Sequence, residues 1–120
     1  MPYFALMWSV KPGTEQAVKE LFQNYGRPDP VVRDAGGNIT GQLASTLVFM
    51  KGNVVVRVME VEGDLAAVAR HLQTQEAIQH LEANLDPYLE EPRDHSSPEA
   101  MARFFAQSAM ELLVARKLGE

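Results

Sequence analysis

The sequence predicts an α+β fold on a βαββαβ plan, with helices on one face of an antiparallel sheet. Residues 3–10 are apolar on both alternating sides, which is typical of a central strand. Gly52-Asn53 lies between two apolar runs and supplies the residue types that a tight hairpin loop needs. Gly63 ends the second hairpin strand, and Asp64 can accept a hydrogen bond from the first amides of a following helix.

The first third of the chain predicts a helix and then a long loop after the opening strand. Lys11-Pro12-Gly13 turns the chain, and Thr14 can cap a helix whose apolar residues recur at helical spacing up to Gly26. Residues 26–41 are rich in proline and glycine, so we expect no regular structure there. A loop of this length is a candidate functional element.

The middle of the chain predicts the hairpin and a long helical region. Residues 43–50 form its first strand and residues 54–61 its second, which is rich in β-branched side chains. Apolar residues at helical spacing then continue over residues 65–85. We expect this helix to break near residues 73–75, because Thr74 can cap a second helical start.

A further short helix is predicted before the end of the chain. Pro87 and Pro92 bracket a passage that we expect to be extended or irregular. The following Ser-Ser-Pro-Glu run predicts a helix start, because Glu99 can return a hydrogen bond to the amide of Ser96. This helix should end near Gln107.

The last segment, residues 109–117, is compatible with a helix or with an edge strand. Topology favours the strand, because a final strand completes the βαββαβ plan. The result is the ferredoxin-like arrangement, with an extra helix before the last strand.

Composition indicates the broad class of protein. At 120 residues the chain is long enough for one domain with its own core, and we assign residues 1–120 to a single domain. The absence of cysteine excludes disulfides and thiolate metal sites within this sequence. The net charge of −5 argues against nucleic acid as a partner, because that binding depends on clustered Lys and Arg.

Targeting signals and common site motifs are not found in the sequence. The N-terminal residues lack the features of a signal peptide, and no apolar run reaches the ~20 residues of a membrane span, so we expect a cytoplasmic protein without membrane contact. The three histidines lack metal-binding spacing, and we expect no metal. His71 and His80 are expected to be surface or boundary residues.

Arg57 is the most informative residue of the hairpin. Side chains alternate along a strand, so Arg57 shares one face with Val55, Met59 and Val61. A cation among apolar neighbours is compatible with a stem that covers the sheet, as long cationic side chains commonly do. It is also compatible with a charge that faces a ligand.

Several segments carry a family resemblance: YGRPDP at residues 25–30, VFMKGNVVVRV at 48–58, VEGDL at 61–65, DPYLEEPRD at 86–94 and SPE at 97–99. With these motifs the chain resembles the SchA/CurD-like family of aromatic polyketide gene clusters. The resemblance spans most of the chain.

The resemblance implies a fold type and a substrate class. Such proteins are similar to small ferredoxin-like polyketide cyclases and cofactor-independent monooxygenases, which are of the dimeric α/β barrel type and dimerise through their sheets. The implied partners are an aromatic polyketide, a second copy of the chain and components of the polyketide synthase. The implied product is a spore pigment or antibiotic polyketide, and no cofactor is implied.

This fold gives Arg57 a predicted role. Helices cover one face of the sheet, and pairing of two free faces would enclose an apolar chamber. A guanidinium there would bind the phenolate or enolate oxygen that forms during aldol cyclisation. We therefore predict Arg57 as a catalytic residue, and Met59 on the same face as a substrate-binding one.

Two polar segments supply the other candidates. Tyr25, Arg27 and Asp29 could line the mouth of the chamber, or could form only a rigid helix exit. Arg93 and His95 offer a cation beside a residue suited to proton transfer, or a solvated turn. We predict Asp29 and His95 as catalytic residues, and Tyr25, Arg27 and Arg93 as substrate-binding ones.

Trp8 is a further substrate-binding candidate. It could stack on a flat polycyclic ligand, although core packing also explains an aromatic residue at alternating spacing.

Three functions remain open from the sequence. The first is a cyclase or aromatase, which needs confinement, a base and oxyanion stabilisation but no cofactor. The second is a cofactor-independent monooxygenase that oxidises a polycyclic phenol to a quinone. The third is a non-catalytic accessory subunit of the synthase.

Overall fold

A computed structural model describes residues 3–93, 96–116 and 118–119. Its elements in chain order are β1 (Tyr3–Ser9), α1 (Glu15–Asn24), β2 (Val31–Arg33), β3 (Ile39–Lys51), β4 (Val54–Gly63), α2 (Leu65–Thr74), α3 (Glu76–Leu85), a 3-10 turn (Asp86–Tyr88), α4 (Pro98–Ser108) and β5 (Ala109–Met110).

These strands form one antiparallel sheet in the order β2-β3-β4-β1-β5. The predicted α+β class and the βαββαβ plan are confirmed, with β3 and β4 as the hairpin and α4 as the extra helix before the last strand. β4 occupies the middle of the sheet; it pairs with β3 from Val54 to Gly63 and with β1 from Val54 to Glu60.

The helices cover only one face of this sheet. Cross-strand pairs such as Phe4 with Met59 and Leu43 with Val61 lie on the covered face. There they pack against Val68 and Leu72 of α2. A second cluster packs the other end of the same face against α1 and the region that follows α3; its buried members are Val10, Val18, Val55, Leu85 and Leu89.

The pairing of β3 with β4 contains an irregularity that changes which residues of β3 face the helices. Its register with β4 shifts between Leu43 and Ser45. Leu43 is buried on the covered face, whereas Ala44 and Ser45 are both exposed. Beyond the shift, Thr46 pairs with Met59, so Thr46 also lies on the covered face.

The expectation that residues 26–41 lack regular structure is wrong. Val31–Arg33 form the edge strand β2, and β3 already begins at Ile39. The two β-branched residues Val31 and Val32 suit an edge strand. The Asp34 side chain accepts hydrogen bonds from the amides of Gly36 and Asn38, which tightens the turn into β3.

Two predicted helix caps are also wrong. The hydroxyl of Thr14 donates to the carbonyl of Lys11 and makes no cap bond to α1. α4 is capped by Ser97 rather than Ser96, since the Ser97 side chain accepts from the amide of Ala100. The position of Pro98 as the first helical residue explains this one-residue difference.

The predicted break between the two middle helices is confirmed at Gln75. Thr74 does not cap the second helix, because its hydroxyl donates to the carbonyl of His71. Asp64 caps α2 as expected, by accepting from the amide of Ala67. After α3, Leu89 is buried and forms a bridge with Val10 of the first strand's extension.

The predicted last strand is much shorter than residues 109–117. Only Ala109–Met110 pair with β1, and residues 111–116 have no regular structure and are exposed. Lys117 lies outside the described residues. No helix in the described part of the chain is long and apolar enough to cross a membrane.

Candidate active site

A cavity of about 310 Å³ lies between the covered face of the sheet and the helices. Most of its wall is apolar and comes from β1, β4, α2, α3 and α4. Three charged side chains also line it, namely Arg57, Glu82 and Arg93. An apolar pocket with a few convergent polar groups is the usual form of a small-molecule site.

Arg57 lies in the middle of β4, between its cross-strand neighbours Leu6 and Val48. Its Nε donates a hydrogen bond of 3.2 Å to Oγ1 of Thr46. Burial lowers the pKa of the Arg57 guanidinium from its ordinary value. The positive charge of Arg93 lowers this pKa further, whereas Tyr25 and Glu82 raise it and so offset part of the shift. The group is therefore a desolvated cation in the cavity wall.

The location of Arg57 corrects one expectation from the sequence. A chamber between two free sheet faces would require Arg57 on the uncovered face. Instead Arg57 lies on the helix-covered face, and it lines a cavity formed between that face and the helices of the same chain. The alternation of side chains defines two faces, but it does not identify which of them the helices cover.

The terminal nitrogens of Arg57 remain available to a ligand. Within the described part of the chain, Thr46 is its hydrogen-bond partner and no carboxylate lies within ion-pair distance of it. A guanidinium in an apolar wall can donate to a phenolate or enolate oxygen, and the low-dielectric surroundings strengthen that interaction.

Arg93 is held by two acidic residues, and its side chain is only 7% exposed. Its Nε donates to Asp86 Oδ1 at 2.8 Å, and a terminal nitrogen lies 3.3 Å from Glu82 Oε1. The guanidinium also lies over the ring of Phe104, 5.6 Å from its centroid. Arg93 thus joins α3, the 3-10 turn and α4 at one side of the cavity.

Glu82 was not among the residues predicted from the sequence. Ile78, Glu82 and Leu85 follow each other at spacings of four and three, which places all of them on one face of α3. Ile78 and Leu85 are buried there, and Glu82 lines the cavity between them. A carboxylate in the apolar stripe of a helix was the signal that could have identified it.

Trp8 and Met59 also line the cavity, so four of the predicted residues meet there: Trp8, Arg57, Met59 and Arg93. The indole Nε1 of Trp8 is buried and has no hydrogen-bond partner among the described residues. An unpaired buried donor is costly, and a polar atom of a ligand or a water could satisfy it.

The structure does not bring Tyr25, Arg27 and Asp29 into this cavity. Tyr25 instead lines a groove between α1 and α3 and packs edge-on against Phe22, with ring centroids 6.3 Å apart. Arg27 is exposed. Asp29 is also exposed, and its carboxylate accepts from the amide of Val31, which orients the start of β2.

The histidines lie away from the cavity or outside the described residues. His95 belongs to the latter group, together with Asp94. His71 is half-buried on α2, and its Nε2 lies 2.9 Å from the carbonyl oxygen of Asp29. His80 is exposed and lines a second, larger groove of about 640 Å³ between α1 and α3.

That second groove is a weaker candidate than the cavity. Its polar lining consists largely of exposed side chains, including Glu20, Asn24, Glu76 and Asn84. Water already solvates these side chains and screens their charges, so their interactions with a ligand would be weak. Within the described ranges, no cluster of three or more His, Cys, Asp or Glu residues could hold a metal ion.

A model of the SchA/CurD like domain matches residues 1–117 of the chain. The polyketide synthase CurD of Streptomyces cyaneus is 42% identical over 106 residues, which are 88% of this chain and 28% of that protein. A 42.8 kDa protein in the whiE locus of Streptomyces coelicolor is 40% identical over 106 residues, or 88% and 25% of the two chains. The chain thus spans about a quarter of the length of these curated relatives.

One solved structure shares the fold along its whole length. The tetracenomycin F2 cyclase from Streptomyces glaucescens, described as a type-II polyketide cyclase, superposes with a TM-score of 0.53. The match covers 98% of each chain at 11% sequence identity, a level at which the likeness concerns the fold.

Proposed function

The chain belongs to the SchA/CurD-like domain family, as its sequence motifs indicate, and we propose that it acts as a cofactor-independent polyketide cyclase or aromatase. Its substrate in this proposal is an aromatic polyketide intermediate in the formation of a spore pigment or an antibiotic. The names of the relatives support the pathway, and the fold shared with a type-II polyketide cyclase is compatible with the reaction class.

The observation that carries the proposal is the half-buried guanidinium of Arg57, whose pKa is lowered by desolvation, in the wall of a largely apolar cavity. Aldol cyclisation of a poly-β-ketone creates an enolate and then an alkoxide. Both anions are stabilised by a donor that is already desolvated and oriented before the reaction begins. The cavity volume of about 310 Å³ lies at the lower end of the range for small-molecule sites.

The shape and lining of the cavity suit a flat, mostly apolar molecule. Phe4, Trp8 and Phe105 provide aromatic surface, and Met59 provides an adaptable contact. Confinement of the folded chain in such a space brings its reacting carbons together and excludes intermolecular reaction.

Binding can be tested with the protein's own fluorophore. Trp8 is the single tryptophan of the chain and lines the cavity. We expect saturable quenching of its emission by a polycyclic phenol, and no such quenching by a linear aliphatic β-diketone without rings. Absence of quenching at ligand concentrations up to the millimolar range would contradict the proposal.

The reaction can be tested in a host that makes an aromatic polyketide. Deletion of the protein should change the ring pattern of the products if it is a cyclase. A lower yield of an unchanged product would instead identify a non-catalytic accessory subunit of the synthase. Protein-dependent oxygen uptake with an anthrone would identify a cofactor-independent monooxygenase.

A further inference from the structure

Among the described residues that line the cavity, one group can accept a proton. Its described wall contains two arginines, Gln73, Trp8 and otherwise apolar side chains, and Glu82 supplies the only carboxylate among them. Arginine remains protonated in proteins, and amides and indoles are not useful bases near neutral pH. Proton removal inside the cavity therefore points to Glu82.

The position of Glu82 is fixed from two sides. Its helix packs Ile78 and Leu85 into the core, which sets the direction of the stem. Its Oε1 lies 3.3 Å from a terminal nitrogen of Arg93, and Arg93 is itself anchored on Asp86 and Phe104. A carboxylate held in this way loses little freedom when a substrate enters.

We propose that Glu82 is the general base of the cavity and that it works opposite Arg57. This inference rests on the proposed function and assigns its proton-transfer group. The Glu82 carboxylate takes a proton from the carbon next to a substrate carbonyl, and the electron pair of that C–H bond moves onto the carbonyl oxygen. Arg57 donates hydrogen bonds to the resulting enolate oxygen.

The enolate carbon then bonds to a second carbonyl carbon of the same chain, and the new alkoxide takes up the proton from Glu82. Removal of another α-proton and departure of the hydroxyl as water complete an aromatic ring. The overall change is the loss of water, so no oxidant or reductant is needed. Arg93 acts through Glu82 and is a positioning residue.

A purely structural Glu82–Arg93 ion pair is the competing explanation, and Asp86 provides the matched control. Asp86 contacts the same guanidinium at 2.8 Å but does not line the cavity. A structural role predicts similar effects for Glu82→Gln and Asp86→Asn, whereas a base predicts a much larger chemical effect for Glu82→Gln.

The test uses anthrone, whose acidic methylene yields an enolate-type anion, in anaerobic D₂O. NMR measures hydrogen–deuterium exchange at that methylene with wild-type protein, Glu82→Gln and Asp86→Asn. Trp8 quenching measures anthrone binding by each of them. We expect wild-type acceleration to fall ~10²-fold or more in Glu82→Gln with unchanged binding, and to fall far less in Asp86→Asn, whose amide oxygen can still accept the bond from Arg93.

The outcomes separate this inference from the proposed function. Equal exchange rates for wild-type and Glu82→Gln, or equal losses in the two variants, would overturn the assignment of Glu82 and leave the cavity as a substrate site. Binding without any acceleration by the wild-type protein would also overturn it. A wild-type protein that does not bind anthrone would contradict the proposed function itself.

Discussion

Arg57 of β4 and Thr46 of β3 are joined across the hairpin by a hydrogen bond of 3.2 Å from Nε to Oγ1. This bond uses the inner nitrogen of the guanidinium and holds its plane, while the two terminal nitrogens have no partner among the described residues. Arg57 therefore combines a fixed orientation with open donor sites in an apolar wall.

The first prediction concerns the chemical role of Arg57. Arg57→Met keeps the length and apolar packing of the side chain but removes the guanidinium. If Arg57 stabilises an oxyanion, turnover should fall by ~10²-fold or more, the scale for loss of one such donor. Product formation or anthrone exchange measures this, with Arg103→Met, an exposed site on α4, as control. Wild-type rates from Arg57→Met would end the proposal.

The same variant should not weaken the fold. The lowered pKa of Arg57 means that burial disfavours the charged form, so at neutral pH the folded state carries a cost for that cation. This cost would disappear only as the pH rises through the lowered pKa. We therefore expect Arg57→Met to have an unchanged or higher midpoint of urea unfolding, and a marked drop would instead show a structural role.

The second prediction concerns Gly63, where β4 passes close to the start of β3. Its φ is +81°, and a Cβ there would lie 2.5 Å from the carbonyl oxygen of Thr40. Gly63→Ala should lower the free energy of unfolding by about 2–4 kcal/mol, because backbone strain and the clash add. Gly52→Ala, at φ +57° in open space, should cost only about 1 kcal/mol. Equal losses would contradict this explanation.

The third prediction concerns the uncovered face of the sheet. Met7, Leu47 and Phe49 are exposed there by 47%, 52% and 58%. We predict that this face joins two copies of the chain, since soluble monomers rarely leave such an apolar area uncovered. Light scattering at micromolar concentration should therefore give the mass of a dimer.

A charge on this face should break the dimer. Phe49→Glu should yield monomers, because a buried unpaired carboxylate at an interface is costly. Leu112→Glu is the control, since Leu112 is 56% exposed, close to the value for Phe49, but lies outside the sheet. A monomeric wild-type protein would contradict the prediction.

The fourth prediction concerns residues 26–41 in the absence of ligand. β2 pairs with the sheet along one side, and its flanking turns are exposed, whereas β4 is paired on both sides. Amide exchange in residues 26–41 should exceed that in Val54–Gly63 by about 10²-fold or more. Mass spectrometry of exchanged peptides measures this, and equal protection would contradict it.

Local chemistry and alternation predicted most of the fold. The hairpin at Gly52-Asn53, the cap at Asp64 and the helix break at Gln75 depend on neighbouring residues, and each lies where the sequence indicates. The edge strand β2 was missed because three residues make too short a pattern, and its pairing with β3 depends on the turn at Asp34.

The site was less predictable because it depends on which face the helices cover. Arg57 and Met59 could be placed on one face by alternation, but only the packing of α2 and α3 shows that this face encloses a cavity. Glu82 meets Arg93 through the chain reversal after α3, a contact that residue spacing alone does not reveal. His95, outside the described residues, stays a prediction.

The extra residue of β3, Ala44, sets the sheet face to which each later side chain of the strand points. If Ala44 instead paired with Glu60, side chains would alternate without interruption after Leu43. Leu47 and Phe49 would then point beneath the helices, and Thr46 would turn away from Arg57 toward the opposite face. One bulge residue thus determines which β3 side chains face the cavity and which face away from the helices.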